Sequence, residues 1–282
     1  MTAEIPRGSA DYPARLSDLF DDAPSRIWAR GDLALLDRPC VAIVGTRRAT
    51  AYAERVTRQL ATTLARAGAC VISGLARGVD GCAHRGALEV GGATCAVLGT
   101  GIDVVYPKGH AMLQAEIAER GLLISEIAPA NAAHGGSFPR RNRIIAALAS
   151  VTIVVEAGVK SGALITAAHA LELGRTVAAV PGPIDVPQAQ GSNELLRDGA
   201  TALTSMADAL ALCGLTSPIR RADLPDGTSE RALWDALAHG SANLDTLCTR
   251  ASLPAHEGMA AMSVLEMHGL VECALSGEVR RI

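Results

Sequence analysis

Residues 40–74 read CVAIVGTRRATAYAERVTRQLATTLARAGACVISG, and this stretch decides the fold. A continuously apolar run, Cys40–Val44, leads through a glycine turn into an amphipathic segment, Ala51–Ala67, which stops at Gly68 before the next apolar run. Short apolar runs are typical of strands buried on both faces, and glycine commonly follows a helix. The stretch therefore predicts a strand–helix–strand unit with parallel strands.

The same alternation continues to about residue 214. Further strands are predicted at Cys70–Ile72, Thr94–Leu98, Leu122–Ser125, Val151–Glu156, Thr176–Val180 and Ala200–Leu203. Helices are predicted between them near Asp80–Val90, Ala111–Arg120, Arg141–Ala149 and Ser161–Leu173. The pattern indicates an α/β fold with a doubly wound, mostly parallel sheet over residues 39–214. Ligands bind such sheets at the carboxyl ends of the strands.

The flanking regions differ in character from this repeat. Residues 1–38 form a short N-terminal lead-in with a helix-like middle, and residues 215–228, rich in Pro, Asp and Arg, are predicted to be a linker. Residues 229–282 contain three helix-like segments followed by an alternating pair around Ser276-Gly277. Three helices and a hairpin predict a small C-terminal winged-helix domain.

The overall composition argues against a generic nucleic-acid binder, because the net charge is −3 and only 2% of the residues are aromatic. The charge is unevenly distributed, however. Residues 41–160 carry 13 basic and 8 acidic side chains, and they include both lysines of the chain. A local positive field of this kind attracts a polyanion even when the whole chain is acidic.

Several classes of protein are excluded by missing patterns. The seven cysteines include no CxxC pair, so neither a disulfide scaffold nor a zinc ribbon is expected. Without a signal segment or a long apolar span, the chain is expected to be soluble and cytoplasmic. GxGxxG, GxxxxGK[ST], GxSxG and HExxH are all missing, so we expect no cofactor, no metal and no catalytic residues.

Candidate binding residues follow the predicted strands. A glycine turn at a helix start suits a phosphate, although a plain strand-to-helix turn explains the glycine equally well. Basic side chains at these turns favour the phosphate, and one Phe among arginines suits a stacked base. The candidate DNA-binding residues are Gly45, Thr46, Arg47, Arg48, Ser73, Gly74, Arg77, Gly78, Tyr106, Lys108, Phe138, Arg140, Arg141, Asn142, Arg143, Lys160, Ser161 and Gly162.

The order of these motifs resembles the DNA-processing protein DprA (Smf) family over about residues 12–205. The resemblance is carried by VAIVGTRRAT, VISGLARGVDGCAHRGALEVGG, AVLGTGIDVVYP, LLISEIAP, SFPRRNRIIAALA, VVEAGVKSGALITAAHALELGR, AVPG and GSNELLRDGA. It implies an extended Rossmann-like domain that binds single-stranded DNA and forms a homodimer. It also implies protection of incoming DNA in natural transformation and help in loading the recombinase RecA.

Carried over by motif, the resemblance places Arg47, Lys108, Phe138, Arg140–Arg143 and Lys160 in the DNA pocket. The third winged-helix segment, Pro254–His268, has no Lys or Arg, so a protein-contact or regulatory role is favoured over reading of the DNA major groove. The alternative function is a Rossmann-like nucleoside-monophosphate phosphoribohydrolase. That class uses a PGGxGTxxE signature, whereas this chain reads EAGVKSGALITAAHALE in the corresponding region.

Overall fold

Seven apolar runs between residues 40 and 203, together with two strands from the lead-in, form one nine-stranded sheet. The computed structural model describes residues 2–216, 227–267, 270–274 and 277–281. Contacts divide the chain into two compact units, Met1–Thr216 and Ser217–Ile282. The strands of the first unit are Ala3–Pro6 (β1), Arg26–Gly31 (β2), Cys40–Val44 (β3), Cys70–Ser73 (β4), Ala93–Leu98 (β5), Leu122–Ser125 (β6), Val151–Val154 (β7), Thr176–Ala179 (β8) and Thr201–Ala202 (β9).

The strand order is β1-β2-β6-β5-β4-β3-β7-β8-β9. Strands β3 to β9 pair in parallel, as the repeat predicts. From β3 the chain first adds strands on one side and later returns to add β7 on the other. The order therefore reverses beside β3, and a crevice is expected there at the carboxyl ends of β3 and β7.

Helices cover both faces of this sheet. They are Ala51–Arg66 (α1), Val79–Glu89 (α2), Ala111–Arg120 (α3), Ser137–Leu148 (α4), Gly162–Glu172 (α5), Gln190–Arg197 (α6) and Met206–Leu212 (α7). Alternate strand residues supply a core on each face. Cys40, Ala42 and Val44 pack with α4 and α5, whereas Val41 and Ile43 pack with α1 and α2.

The lead-in is the main departure from the sequence-based expectation. Its residues contribute β2, which pairs antiparallel with β6, and β1, which pairs antiparallel with β2. They also contribute a 3-10 segment, Ala14–Asp22, that packs against α4. Ile27 and Ala29 alternate inward along β2 and are buried. Local strand propensity does not predict β2, because its sequence, RIWARG, is short and carries two arginines.

A second difference concerns the start of α4. A helix was expected from Arg141, but α4 begins at Ser137, directly after Gly136 with φ +84°. Pro139 fits in the first turn, where its missing N–H leaves no hydrogen bond unmade. The basic run therefore lies inside the helix rather than in a loop before it.

The second unit has winged-helix topology. Its helices are Thr228–Ala236 (α8), Leu244–Ala251 (α9) and Ala255–Met267 (α10), and its strands are Ala242–Asn243 (β10), Val271–Cys273 (β11) and Glu278–Arg281 (β12). The three strands form a sheet in the order β10-β12-β11 around an apolar core that includes Leu233, Leu247 and Leu265. Most of the predicted linker, and Ser276 of the predicted turn, lie outside the described residues. Within the described ranges, no helix is both long and apolar enough to cross a membrane.

Candidate nucleic-acid interface

A pocket of about 820 Å³ lies at the carboxyl ends of β3 and β7, beside the reversal of strand order. Ten of the eighteen candidate residues line it, whereas the other eight lie elsewhere. The lining candidates are Gly45, Thr46, Arg47, Arg48, Phe138, Arg141, Asn142, Lys160, Ser161 and Gly162. The candidates outside the lining are Ser73, Gly74, Arg77, Gly78, Tyr106, Lys108, Arg140 and Arg143.

The loop after β3 forms one wall and is held tightly. The Thr46 backbone N–H donates to the Glu156 carbonyl oxygen at 2.6 Å, and the Thr46 carbonyl accepts from the Val79 N–H at 3.2 Å. A Cβ on Gly45 would lie 2.5 Å from the Val79 side chain, so only glycine fits there. This anchoring leaves the exposed Arg47 and Arg48 side chains on a rigid base.

The N-terminus of α1 already has an anionic partner within the chain. Glu156 is buried, and its carboxylate accepts from the Thr50 hydroxyl at 2.7 Å and from the Thr50 N–H at 3.0 Å. The Thr50 hydroxyl oxygen in turn accepts from the Ala53 N–H and caps the helix. We therefore expect a phosphate at this wall to bind to the Arg47 and Arg48 side chains rather than to the N-terminus of α1.

A buried arginine and aspartate brace the loop after β4. The Arg141 guanidinium donates to the carbonyl oxygens of Gly74 (2.7 Å) and Val97. The Asp80 carboxylate accepts from the Gly74 N–H at 3.1 Å and the Ala76 N–H at 3.3 Å. Burial lowers the pKa of Arg141 to about 10, which leaves it charged at neutral pH. Burial also raises the pKa of Asp80, and the Arg141 charge opposes that shift.

Two aromatic rings and one arginine meet at the pocket rim. The Phe138 ring centroid lies 5.0 Å from that of Tyr106 and 5.7 Å from the Arg47 guanidinium carbon. Phe138 packs on the backbone at Gly99, where a Cβ would approach the ring to 2.5 Å. Tyr106 is 48% exposed, so this rim offers an accessible aromatic surface beside a positive charge. Such a surface suits an unstacked base.

The opposite wall comes from the start of α5. Ser161 caps this helix by accepting from the Ala163 N–H at 3.3 Å, and the Asn142 side chain donates to the Gly162 carbonyl at 3.0 Å. Lys160, immediately before the cap, is exposed at the rim. Val159, Ile165, Pro187 and Gln188 also line this side. Sequence reasoning missed them because apolar and amide side chains carry no binding signal of their own.

Arg143 lies in the protein interior rather than in the pocket. Its side chain is only 2% exposed and donates to the Glu126 carboxylate at 2.8 Å and to the Asp22 carbonyl at 3.0 Å. By contrast, Arg140 is 62% exposed and lies 3.5 Å from Glu126. Arg143 therefore joins α4 to the lead-in and to the residue after β6, and it has no free face for a phosphate.

The remaining candidates occupy other positions around the carboxyl edge. The Ser73 hydroxyl is buried and donates to the Ile43 carbonyl at 2.7 Å. Gly78, with φ +71°, packs against the Thr46 carbonyl, which leaves no room for a side chain. Arg77 and Lys108 are exposed but outside the pocket lining.

Three arginines of the second unit contact partners within that unit. Arg280 pairs with Glu272 at 2.9 Å, and the Arg281 guanidinium stacks 4.1 Å from the Trp234 ring centroid. Arg250 donates to the Gly240 carbonyl at 3.3 Å. In the described part of the chain, no group of three or more His, Cys, Asp or Glu side chains is arranged to hold a metal ion.

Comparison with known proteins finds a matching family model for each of the two units. A family model described as DNA recombination-mediator protein A matches residues 4–214, and one described as the DprA winged helix domain matches residues 218–276. The putative DNA processing protein DprA of Mycobacterium tuberculosis is 40% identical over 89% of this chain and 67% of its own length. The DNA processing protein DprA of Bacillus subtilis is 40% identical over 72% of this chain and 69% of its own length.

Two solved structures resemble the larger part of the chain. The X-ray structure of DprA from Streptococcus pneumoniae has a TM-score of 0.71 at 40% identity and covers 74% of this chain and 73% of its own. A DprA structure from Helicobacter pylori, described by its single-stranded DNA binding mode, has a TM-score of 0.65 at 34% identity. It covers 74% of this chain and 93% of its own.

Proposed function

Because the chain belongs to the DNA recombination-mediator protein A (DprA, Smf) family, a family of DNA-binding proteins and not of enzymes, we propose that its pocket binds single-stranded DNA. The observation that carries this proposal is the pocket rim, where the Arg47 guanidinium lies beside the Phe138–Tyr106 pair and Lys160 lines the same pocket. Cationic side chains beside stacking rings match the chemistry of a nucleotide chain.

Each part of the site has a distinct role in this proposal. Arg47, Arg48 and Lys160 contact phosphates, and one base stacks beside Phe138 and Tyr106. Arg141 holds the loop after β4 in place and does not contact DNA. Because stacking at the rim requires an unpaired base, single strands bind more tightly than duplexes. Phosphate contacts do not depend on sequence, so affinity varies little between sequences.

The test is an equilibrium titration of labelled single- and double-stranded oligonucleotides at about 50 and 200 mM salt. Arg47→Glu should weaken single-strand binding at least about tenfold and lower the slope of log K against log salt. Arg38→Glu is the matched control, because Arg38 is exposed and precedes β3 at the opposite edge of the sheet. Equal affinity for duplex and single strand, or an unchanged slope for Arg47→Glu, would contradict the proposal.

The wider role extends this binding activity. The chain acts in the cytoplasm in DNA processing during natural transformation, protects incoming single strands and helps load RecA onto them. It does so as a homodimer, with the winged-helix unit contacting protein rather than DNA. The family's description as a recombination mediator supports RecA loading. RecA-dependent ATP hydrolysis on protein-coated single strands, with and without this chain, tests the loading, and light scattering tests the dimer.

A further inference from the structure

A second positively charged concavity lies outside the pocket. It is the groove between α1 and α2, on the side of these two helices that faces solvent. It measures about 1010 Å³, against about 820 Å³ for the pocket. Its lining contains four arginines and two glutamates: Arg55, Arg58, Arg66, Arg85, Glu54 and Glu89. All four arginines are exposed, so their guanidinium groups face solvent along one continuous surface.

The close contact of the two helices fixes this groove. A Cβ on Gly86 would lie 2.8 Å from the Arg58 carbonyl and 3.0 Å from the Ala61 side chain, so glycine lets the helices touch. The Thr62 hydroxyl then donates to the Gly86 carbonyl at 3.2 Å. The groove floor is therefore rigid, and the arginines stand on its two sides.

The groove lining has a net charge of +2, and one of its four arginines is in an ion pair. Arg58 pairs with Glu89 at 2.7 Å. Among the residues that the structure describes, no carboxylate pairs with Arg55, Arg66 or Arg85. The lining itself carries no exposed aromatic or large aliphatic side chain of the kind that anchors a protein partner, and the Tyr52 ring beside it lies against the Arg55 guanidinium at 5.5 Å. Guanidinium groups without an apolar anchor favour a phosphodiester backbone over a peptide.

One end of the groove lies near the pocket. Ala51, the first residue of α1, lines the groove, and Arg48, three residues earlier, lines the pocket. Both helices begin at the carboxyl edge of the sheet, so the groove starts at the pocket rim. Arg55 and Arg66 are 11 residues apart on α1. This spacing spans about 16 Å, which is long enough to hold more than one phosphate of a single strand.

We propose that the α1–α2 groove holds the backbone of the DNA strand as it leaves the pocket. This inference rests on the proposed function, since it extends the path of the same single strand. The pocket holds the first nucleotides through phosphates and a stacked base, and the groove then holds several more through phosphates alone. The site size therefore exceeds what the pocket accommodates, and tight binding requires a longer oligonucleotide.

The experiment compares two oligothymidylates, about 6 and about 20 nucleotides long, on the full-length protein and two double variants. Arg55→Ala with Arg66→Ala removes two groove charges and keeps residues that favour a helix. Arg38→Ala with Arg197→Ala is the control with the same change of net charge. Thermal unfolding of all three proteins verifies that the fold is unchanged.

The groove variant should bind the long oligonucleotide about tenfold more weakly, with a salt slope smaller by about 1.4, and should bind the short one like the wild type. Either of two results would overturn the proposal. The groove variant could bind the long oligonucleotide as tightly as the control variant does, or it could lose the same affinity for both oligonucleotides, which would place the effect in the pocket. If the wild type binds neither oligonucleotide, the proposed function itself fails, and this inference fails with it.

A second readout distinguishes DNA from another occupant. Cys82 lines the groove and is partly exposed, whereas Cys273 is exposed in the other unit. The long oligonucleotide should slow alkylation of Cys82 relative to Cys273, as measured by peptide mass mapping, and the short one should not. Unchanged alkylation of Cys82 at saturating long DNA would show that the strand does not follow this groove.

Discussion

Arg143 provides the sharpest test of the difference between the sequence motif and the structure. Within the basic run of residues 140–143 it looks like a DNA contact, but its side chain is 2% exposed and lies between Asp22 and Glu126. We expect Arg143→Ala to destabilise the larger unit and to leave the salt dependence of DNA binding unchanged. Arg140→Ala, which changes the exposed neighbour, is the matched control.

The size of the effect follows from the contacts of Arg143. Loss of one partner of a fully buried ion pair costs about 3–5 kcal/mol, but Glu126 is 24% exposed and Asp22 is 65% exposed. Water can therefore solvate part of both carboxylates once the guanidinium is gone. The hydrogen bonds to Glu126 and to the Asp22 carbonyl remain the main loss, which we place at about 3 kcal/mol.

Scanning calorimetry on the full chain measures this difference through the transition of the larger unit. A loss of about 3 kcal/mol should lower the Tm by about 6–12 °C for a unit of this size. Arg140→Ala should move the Tm by no more than about 2 °C, since its pair with Glu126 is 3.5 Å long and exposed. An unchanged Tm for Arg143→Ala, together with a smaller salt slope, would refute the interior role.

Three further predictions concern the pocket and the core. Burial lowers the pKa of His84 to about 3 in the folded chain. Between about pH 6.5 and 3 the unfolded chain therefore binds one more proton than the folded chain. The free energy of unfolding should then fall by about 1.4 kcal/mol per pH unit below 6.5, and chemical denaturation should show this slope reduced in His84→Asn. Gly78→Ala should lower the Tm by several degrees, because its Cβ would collide with the Thr46 carbonyl at positive φ; an unchanged Tm would contradict this packing. Phe138→Ala should weaken single-strand binding about tenfold with an unchanged salt slope, since it removes stacking of about 1–3 kcal/mol and no charge; titration at two salt concentrations checks both.

The parallel strands were predictable because each is a short apolar run, and β3 and β6 agree with the expected bounds. The two lead-in strands were not, since β2 joins the large sheet by pairing with β6, which lies about 90 residues later in the chain, and β1 is added through β2. Local propensity contains no information on such a partner.

The candidate site was predictable to the same limited extent. Arg47 and Lys160 reach the pocket because strand ends of a parallel sheet converge. Arg143 does not reach the pocket, because its side chain is held in the interior by Asp22 and Glu126, which are distant in sequence. A basic run shows which residues are charged, whereas burial depends on the tertiary packing of α4.

The edges of the large sheet limit how two copies of the chain can associate. One edge strand, β9, has only two residues, and the other, β1, ends in Pro6 and carries Glu4. A short edge, a proline and a charge all oppose the addition of a strand from a neighbouring molecule. Self-association of this unit should therefore proceed through side chains on its helical faces, and crowded solutions should not convert it into β-sheet aggregates.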